Sequence, residues 1–188
     1  TPAANYHIAD VLVDGSSVGA VGSYPFTNVT ANHTIEASFA INTYTLTYAA
    51  GAGGTIVGTT PQTVNHGASG TLVTATPSTG FHFVSWSDGV LTAARTDLNV
   101  TANISVTASF AINTYQLAVS STTGGSITVP PTSPVTVNHG VATTITAVAT
   151  AGYTFTGWTV VTGTASIATP SALSTTATLS SGDATVRA

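Results

Sequence analysis

The segment Asn28-Val-Thr-Ala-Asn32-His-Thr-Ile35-Glu-Ala-Ser-Phe39-Ala-Ile-Asn-Thr-Tyr44 returns about 71 residues later as Asn99-Val-Thr-Ala-Asn103-Ile-Ser-Val106-Thr-Ala-Ser-Phe110-Ala-Ile-Asn-Thr-Tyr115. Three further motifs recur in one order: a Gly-Gly turn, an Asn-His-Gly turn, and an aromatic pair followed by tryptophan. They stand at Gly53-Gly54 and Gly124-Gly125, at 65–67 and 138–140, and at 80–86 and 152–158. Self-similarity at a fixed period indicates a tandem-repeat architecture.

The period divides the chain into three segments. Residues 1–40 form the first repeat, which carries only the second half of a unit, and residues 41–111 form the complete second repeat. Residues 112–188 form the third repeat, which stops short of the Ser-Phe that closes the earlier two. Two interpretations stay open: a window on a longer array, or a subunit whose neighbour supplies a missing strand. The joint at 40–43 has no Gly or Pro, which favours nearly continuous strands over a flexible linker.

The composition excludes several functional classes. Charged residues make up 4% of the chain, against about 25% in ordinary proteins, and Arg95 and Arg187 are its two basic residues. Without a basic patch to neutralise phosphates, nucleic acid is excluded as a partner. No apolar run approaches the roughly 20 residues of a membrane helix, so we expect no membrane insertion. The absence of cysteine excludes disulfides and thiolate metal sites.

Alternation with period two predicts β-strands throughout. Tyr44, Leu46 and Tyr48 share one face of a strand, and the segment 104–110 turns its apolar residues to one side. Glycine-containing turns separate these runs, and no segment shows sustained helical spacing. We therefore predict an all-β chain of small, tandem antiparallel modules.

The motifs resemble the divergent internalin-type B-repeat family of bacterial surface proteins. That pattern runs from a Tyr-x-Leu strand through Gly turns and an Ala-x-Pro strand to Gly-aromatic-x-aromatic-x-x-Trp and a closing Ala-x-Phe. The second repeat matches at Tyr44, Leu46, Gly53, Gly54, Gly67, Ala75, Pro77, Gly80, Phe81, Phe83, Trp86, Ala108 and Phe110. The third has Ala149 in place of the proline. The resemblance implies compact extracellular modules, β-grasp-like or sandwich-like, without catalytic residues or cofactors.

Six aromatic residues are predicted to be the structural signature of the module: Trp86, Trp158, Phe39, Phe110, Tyr44 and Tyr115. Trp86 and Trp158 are also the obvious candidates for stacking on a sugar. Their fixed place after an aromatic pair favours a core position instead, since large aromatic side chains dominate core burial.

Metal and catalytic sites find little support. His66 and His139 occur once per repeat without a second ligand beside them, and we interpret them as turn residues that precede glycine. The calcium candidates are Asp10, Asp14, Asp88 and Asp97, although calcium takes six to eight oxygen ligands. No pair of acids indicates acid–base catalysis, so we expect no enzyme.

Four Asn-x-Ser/Thr triplets match the acceptor pattern for glycosylation: Asn28, Asn32, Asn99 and Asn103. A chain so rich in threonine also produces such triplets by accident. Two of them stand at the start of a closing strand, where the motif would simply cap a turn.

The leading functional hypothesis is an extracellular structural protein that forms a rod, a stalk or a self-assembled filament. Soluble β-proteins guard exposed strand edges with lysine and other charges, and this chain has almost none. Its expected partners are copies of itself or neighbouring modules of a longer chain. The alternative is an adhesin or carbohydrate-binding segment whose partners are surface glycans.

Overall fold

The computed structural model describes all 188 residues and contains eighteen β-strands and no helix, which confirms the all-β class. No segment therefore qualifies as a membrane-spanning helix. The strands are β1 (Tyr6–Val13), β2 (Ser16–Ser17), β3 (Ile35–Ile41), β4 (Thr43–Ala50), β5 (Gly54–Val57), β6 (Gln62–Asn65), β7 (Val73–Pro77), β8 (Phe81–Trp86), β9 (Ala94–Arg95), β10 (Ile104–Ile112), β11 (Thr114–Ser120), β12 (Gly125–Val129), β13 (Val135–Asn138), β14 (Ala142–Ala149), β15 (Thr159–Thr162), β16 (Ser166–Ile167), β17 (Ser174–Thr178) and β18 (Ala184–Arg187).

The chain folds as two compact units, each built from several stretches of sequence. One unit comprises Thr1–Ala50, Ile56–Ala75 and Ser85–Ala108. The other comprises Gly51–Thr55, Thr76–Val84 and Ser109–Ala188.

Each of the two longer repeats is built from two small sheets. The second repeat has sheets of order β6-β4-β10-β8 and β5-β7-β9, and the third has β13-β11-β18-β15 and β12-β14-β17-β16. The first repeat forms a single sheet, β2-β1-β3. In the third repeat both sheets contribute to one core, so a sandwich describes the module. That core contains Leu117, Val119, Val137, Ile145, Ala147, Trp158, Ala177, Leu179, Ala184 and Val186.

The first and last strands of a repeat run parallel, a departure from the antiparallel modules predicted. In the second repeat β10 pairs with β4 and places Val106 opposite Tyr48. In the third, β18 pairs with β11 and places Val186 opposite Val119. Parallel strands need a long crossover connection, and here the rest of the repeat provides it.

The third repeat contains its closing strand. We expected this segment to end before that strand, because no Ser-Phe follows. Ala184 and Val186 are nevertheless buried, and β18 lies between β11 and β15. The closing strand of the third repeat is therefore present, contrary to that expectation.

At each joint a single residue separates the closing strand of one repeat from the opening strand of the next. This residue is Asn42 at the first joint and Asn113 at the second. Strand β3 ends at Ile41 and β4 begins at Thr43, and β10 and β11 are separated in the same way. The expectation of nearly continuous strands at these joints agrees with the structure.

We expect Leu46→Ala to lower the free energy of unfolding by about 3 kcal/mol, because Leu46 is fully buried and its truncation leaves a cavity. The control is Leu91→Ala in the same repeat, where the side chain is 75% exposed and the loss should stay below about 0.5 kcal/mol. Urea denaturation followed by circular dichroism measures both. Equal losses would show that the interior of the repeat is not packed as described.

Candidate functional site

Both tryptophans lie in the core. The side chains of Trp86 and Trp158 are 1% and 4% exposed, so neither indole face is open to a sugar. Each ring also satisfies its polar atom inside the protein. The Nε1–H of Trp86 donates to the carbonyl of Thr92 at 3.1 Å, and that of Trp158 donates to the carbonyl of Ala172 at 3.0 Å.

Arg95 forms a charged cluster beside Trp86 in the second repeat. Its guanidinium donates two hydrogen bonds to Asp97, of 2.9 Å from Nε and 2.7 Å from Nη2. Nη1 lies 2.7 Å from a carboxylate oxygen of Asp88, an ion pair without the alignment of a hydrogen bond. The guanidinium carbon lies 5.6 Å from the centre of the Trp86 ring, within cation–π range. A buried cation is stable here because it is paired on two sides.

The charges in this cluster shift the pKa values of its members. Hydrogen bonds from Arg95 hold the pKa of Asp97 below its ordinary value. Burial raises the pKa of Tyr48, whose hydroxyl donates a 2.6 Å hydrogen bond to Asp97. Asp97 therefore stays ionised at neutral pH, while Tyr48 stays protonated and continues to donate.

The calcium candidates do not converge on one point. Asp88 and Asp97 are brought together, but by Arg95, so their oxygens already pair with a cation. Asp10 accepts hydrogen bonds from Ser17 and from the Val11 amide. No group of three or more histidines and acids has the arrangement of a metal site.

Asp14 is engaged within the first repeat. It lies 2.7 Å from the Nδ1 of His33 and accepts a 2.9 Å hydrogen bond from the amide of Thr34. The hydrogen bond with His33 lowers the pKa of Asp14. This contact joins the β1–β2 turn to the residues just before β3.

The Gly-Gly turn accommodates the aromatic side chains of the motif. A Cβ added to Gly54 would overlap the ring of Phe110, and one added to Gly53 would overlap Phe81. In the third repeat Gly124 lies against Tyr153 in the same way, whereas Gly125 meets no aromatic ring. Glycine is therefore required where a ring packs flat on the turn.

The remaining signature aromatics differ in burial. Tyr44, Tyr115 and Phe110 are half-buried, but the side chain of Phe39 is 46% exposed. Phe39 aligns with Phe110, whose ring packs against Gly54 in the second repeat. The same signature position is therefore half-buried in the second repeat and exposed in the first.

A hydrogen-bonded joint forms at each linking asparagine. At the first joint the Asn42 amide donates to the carbonyl of Asn5, and the His66 amide donates to the carbonyl of Asn42, both at 2.8 Å. The Nδ1 of His7 lies 3.0 Å from the side-chain oxygen of Asn42. Since that oxygen only accepts, the imidazole is the donor. Tyr44 contacts His66 across a ring separation of 5.8 Å.

The second joint repeats these contacts. The Asn113 amide donates to the carbonyl of Gly80, and the His139 amide donates to that of Asn113, again at 2.8 Å. The Nδ1 of His82 lies 2.8 Å from the Asn113 side-chain oxygen. Tyr115 contacts His139 across a ring separation of 6.1 Å. Both histidines of the Asn-His-Gly turns thus have a role beyond the turn.

The sequence held a signal for this joint that our interpretation missed. His7 stands two residues after Asn5, and His82 stands two residues after the aligned Gly80. Each of the two histidines occurs together with a linking asparagine. Asn5 and Gly80 share a left-handed backbone, with φ of 66° and 81°. The signal in the sequence was that this histidine recurs at the same place in two repeats, outside the Asn-His-Gly turn.

The four triplet asparagines are exposed, and their glycosylation stays a prediction. Asn28 and Asn99 share a φ of 50°, a conformation that asparagine tolerates better than most residues. Asn103 has a structural contact, since its side-chain oxygen accepts a 2.9 Å hydrogen bond from the Thr45 amide.

A comparison with known families matches the divergent InlB B-repeat domain twice, over residues 44–114 and 115–188. The chain belongs to the divergent InlB B-repeat family. B-repeats of this family are associated with bacterial cell-surface proteins. The family is generally non-enzymatic. Comparisons with curated proteins and with solved structures found no match.

We expect Gly54→Ala to destabilise the second B-repeat by about 2 kcal/mol, because the new methyl group must displace the Phe110 ring. The matched control is Gly125→Ala, where the nearest atom is the Val148 carbonyl oxygen at 3.1 Å. There the alanine restricts the unfolded chain, which stabilises the protein by about 0.5 kcal/mol and offsets the small shift that the new methyl group imposes on its neighbour. Adding Phe110→Ala should remove most of the Gly54→Ala penalty in a double-mutant cycle. Additive losses would contradict the ring–glycine contact.

We expect Asp97→Asn to cost about 3 kcal/mol at neutral pH, because Arg95 loses its better-buried partner. The folded pKa of Asp97 is depressed, so its contribution is complete above the ordinary carboxyl value and disappears as the pH falls below about 4. The variant should therefore lose less stability between pH 5 and pH 2 than the parent protein. Trp86 fluorescence in a Trp158→Phe background, measured in urea, follows the second repeat.

The matched control for that variant is Asp88→Asn. The Asp88 side chain is 37% exposed, against 15% for Asp97, so its removal should cost less than about 1 kcal/mol. Identical acid profiles for the parent protein and Asp97→Asn would refute the assignment.

Proposed function

We propose that this chain is a structural spacer, a semi-rigid stalk segment of a bacterial surface protein. The observation that carries the proposal is the recurrence of one joint, with the same backbone and side-chain contacts at Asn42 and at Asn113. A binding or catalytic role would not require two joints to be alike. A spacer requires it, because every joint has the same mechanical task.

Hydrogen bonds at the joint hold the linking residue through both its amide and its carbonyl. The amide and the carbonyl of Asn42 are both hydrogen-bonded, and its side chain accepts from His7. Each such bond contributes about 1 kcal/mol net, which is enough to favour one backbone conformation over several. A Gly/Ser-rich linker offers no such preference.

The near absence of charge supports an assembled or crowded extracellular setting. The chain has no lysine, and its net charge of −4 is spread over 188 residues. Such a surface gives little repulsion between copies. We therefore propose neighbouring modules or other copies of the chain as its partners, at the cell surface.

A carbohydrate-binding or adhesin role has less support. The two tryptophans that would form stacking platforms are buried. Among the exposed aromatic side chains, Tyr24 and Phe26 pack edge-on against each other, and the others are Tyr6, Phe39 and Tyr153.

The test is the distance distribution across the first joint. The chain has no cysteine, so spin labels can be attached uniquely at Ala9→Cys in β1 and Val57→Cys in β5, both exposed positions. We expect a narrow distribution by pulsed electron–electron double resonance. Inserting Gly-Gly-Ser after Asn42 should broaden it, because the paired amide and carbonyl contacts cannot form together.

The same insertion after Pro131, in an exposed turn between β12 and β13, is the control and should leave the distribution narrow. A broad distribution in the parent protein would eliminate the semi-rigid stalk.

A further inference from the structure

Two of the asparagines that match the acceptor pattern for N-linked sugars lie in the complete second repeat, and the structure gives them different roles. Asn99 and Asn103 both stand in the loop between β9 and β10, and both side chains are exposed. A chain rich in threonine produces such triplets by accident, so the pattern alone does not assign a site. The contacts of the two side chains separate them.

Asn103 has a structural task that uses only its side-chain oxygen. That oxygen accepts a 2.9 Å hydrogen bond from the amide of Thr45 in the opening strand. In the third repeat the aligned residue is Asp183, which accepts a 2.8 Å hydrogen bond from the amide of Gln116. An ionised carboxylate has no hydrogen to donate, so this position requires an acceptor and not an amide nitrogen. The fold therefore explains Asn103 without a modification.

The side chain of Asn99, by contrast, forms no hydrogen bond within the chain. Its φ of 50° accounts for an asparagine at this place, because asparagine tolerates the left-handed backbone better than most residues. That conformation does not account for Thr101, whose exposed side chain completes the triplet. Both groups that the acceptor pattern requires, the amide of Asn99 and the hydroxyl of Thr101, are therefore open to an enzyme.

The residue between them holds the triplet in place. Val100 is 3% exposed, so its side chain lies in the interior. Its amide donates a 2.9 Å hydrogen bond to the carbonyl of Ala68, and its carbonyl accepts one of 2.7 Å from the amide of Gly67. The triplet is thus anchored through its middle residue, while the two outer side chains remain in solvent.

We propose that Asn99 is an N-glycosylation site of the second repeat and that Asn103 is not. A glycosyltransferase joins Nδ2 of Asn99 to the anomeric carbon of an activated sugar that carries a diphosphate leaving group. The bond between that carbon and the phosphate oxygen breaks, the diphosphate leaves with the electron pair, and Nδ2 gives up one proton. The asparagine remains an amide, now substituted on its nitrogen.

The position of the site indicates what the sugar does. Gly67 and Ala68, which anchor Val100, belong to the turn whose His66 amide donates to the carbonyl of Asn42 at the first joint. The sugar therefore stands close to that turn. It also adds hydrated bulk to a surface that has few charges of its own, since the net charge is −4 over 188 residues.

The first test is peptide mapping of the complete chain recovered from the cells that produce it. Electron-transfer fragmentation keeps the sugar on its residue, so mass spectrometry distinguishes Asn99 from Asn103 within one peptide. We expect the sugar on Asn99 and an unmodified Asn103. An unmodified Asn99, or a sugar on Asn103, would overturn the proposal.

Two matched variants test the role of the triplet without changing the asparagine. Thr101→Ala should abolish the sugar on Asn99, whereas Thr101→Ser should keep it, because serine preserves the hydroxyl that the pattern requires. Thr101 is exposed in a loop, so both variants should unfold at the temperature of the parent protein. Equal modification of the two variants would contradict the assignment.

An assay with purified components tests whether the fold selects the site. The folded 188-residue chain is incubated with UDP-glucose and a bacterial asparagine glucosyltransferase, and glucose should appear on Asn99 before Asn103. A peptide of residues 95–107 lacks the contact with Thr45, so there the preference should disappear. The same preference in the chain and in the peptide would show that the structural contacts do not select the site.

This inference does not rest on the stalk proposal, and the two can fail separately. A narrow spin-label distribution with an unmodified Asn99 would leave the stalk and eliminate the glycosylation site. A modified Asn99 with a broad distribution would leave the site and eliminate the stalk.

Discussion

The parallel contact between the opening and closing strands is the constraint on which each complete repeat depends. Strand β4 meets β10 from the other end of its repeat, and their pairing buries Leu46, Val106 and Ala108. The contact joins residues almost sixty positions apart, so its formation costs the entropy of closing a long loop. Two of the contacts described above start from this strand pair: the ring of Phe110 in β10 packs on Gly54, and the hydroxyl of Tyr48 in β4 donates to Asp97.

The two longer repeats share one strand arrangement but place different side chains beside the tryptophan. In the second, Tyr48 projects from the opening strand toward Trp86, and Arg95 and Asp97 complete the cluster. In the third, Val119 takes the place of Tyr48, and Trp158 meets Phe155 edge-on. The same backbone pairing therefore accommodates either an ion pair or apolar side chains beside the tryptophan, provided that no polar group is left unpaired.

Much of the fold could be read from the sequence, because its signals are local. Alternation placed Leu46 and Tyr48 on a buried face, and the glycine pairs marked turns that the structure contains. The parallel direction of β10 could not be read, since no local pattern says which distant strands become neighbours. The burial of Arg95 was missed for a related reason. A charged residue is buried only when its partners converge in space, and the sequence does not show that Asp88 and Asp97 meet at Arg95. The two histidines of each joint were visible as repeats, but their bonds to Asn42 and Asn113 depend on how the strands meet.

The direction of the closing pair also determines how a repeat responds to force. Tension on a tethered chain enters the second repeat through β4 and leaves through β10, two strands that lie side by side and point the same way. The load therefore acts along the strands and shears their hydrogen bonds together, instead of opening them one at a time from an end. This arrangement resists tension without any covalent cross-link.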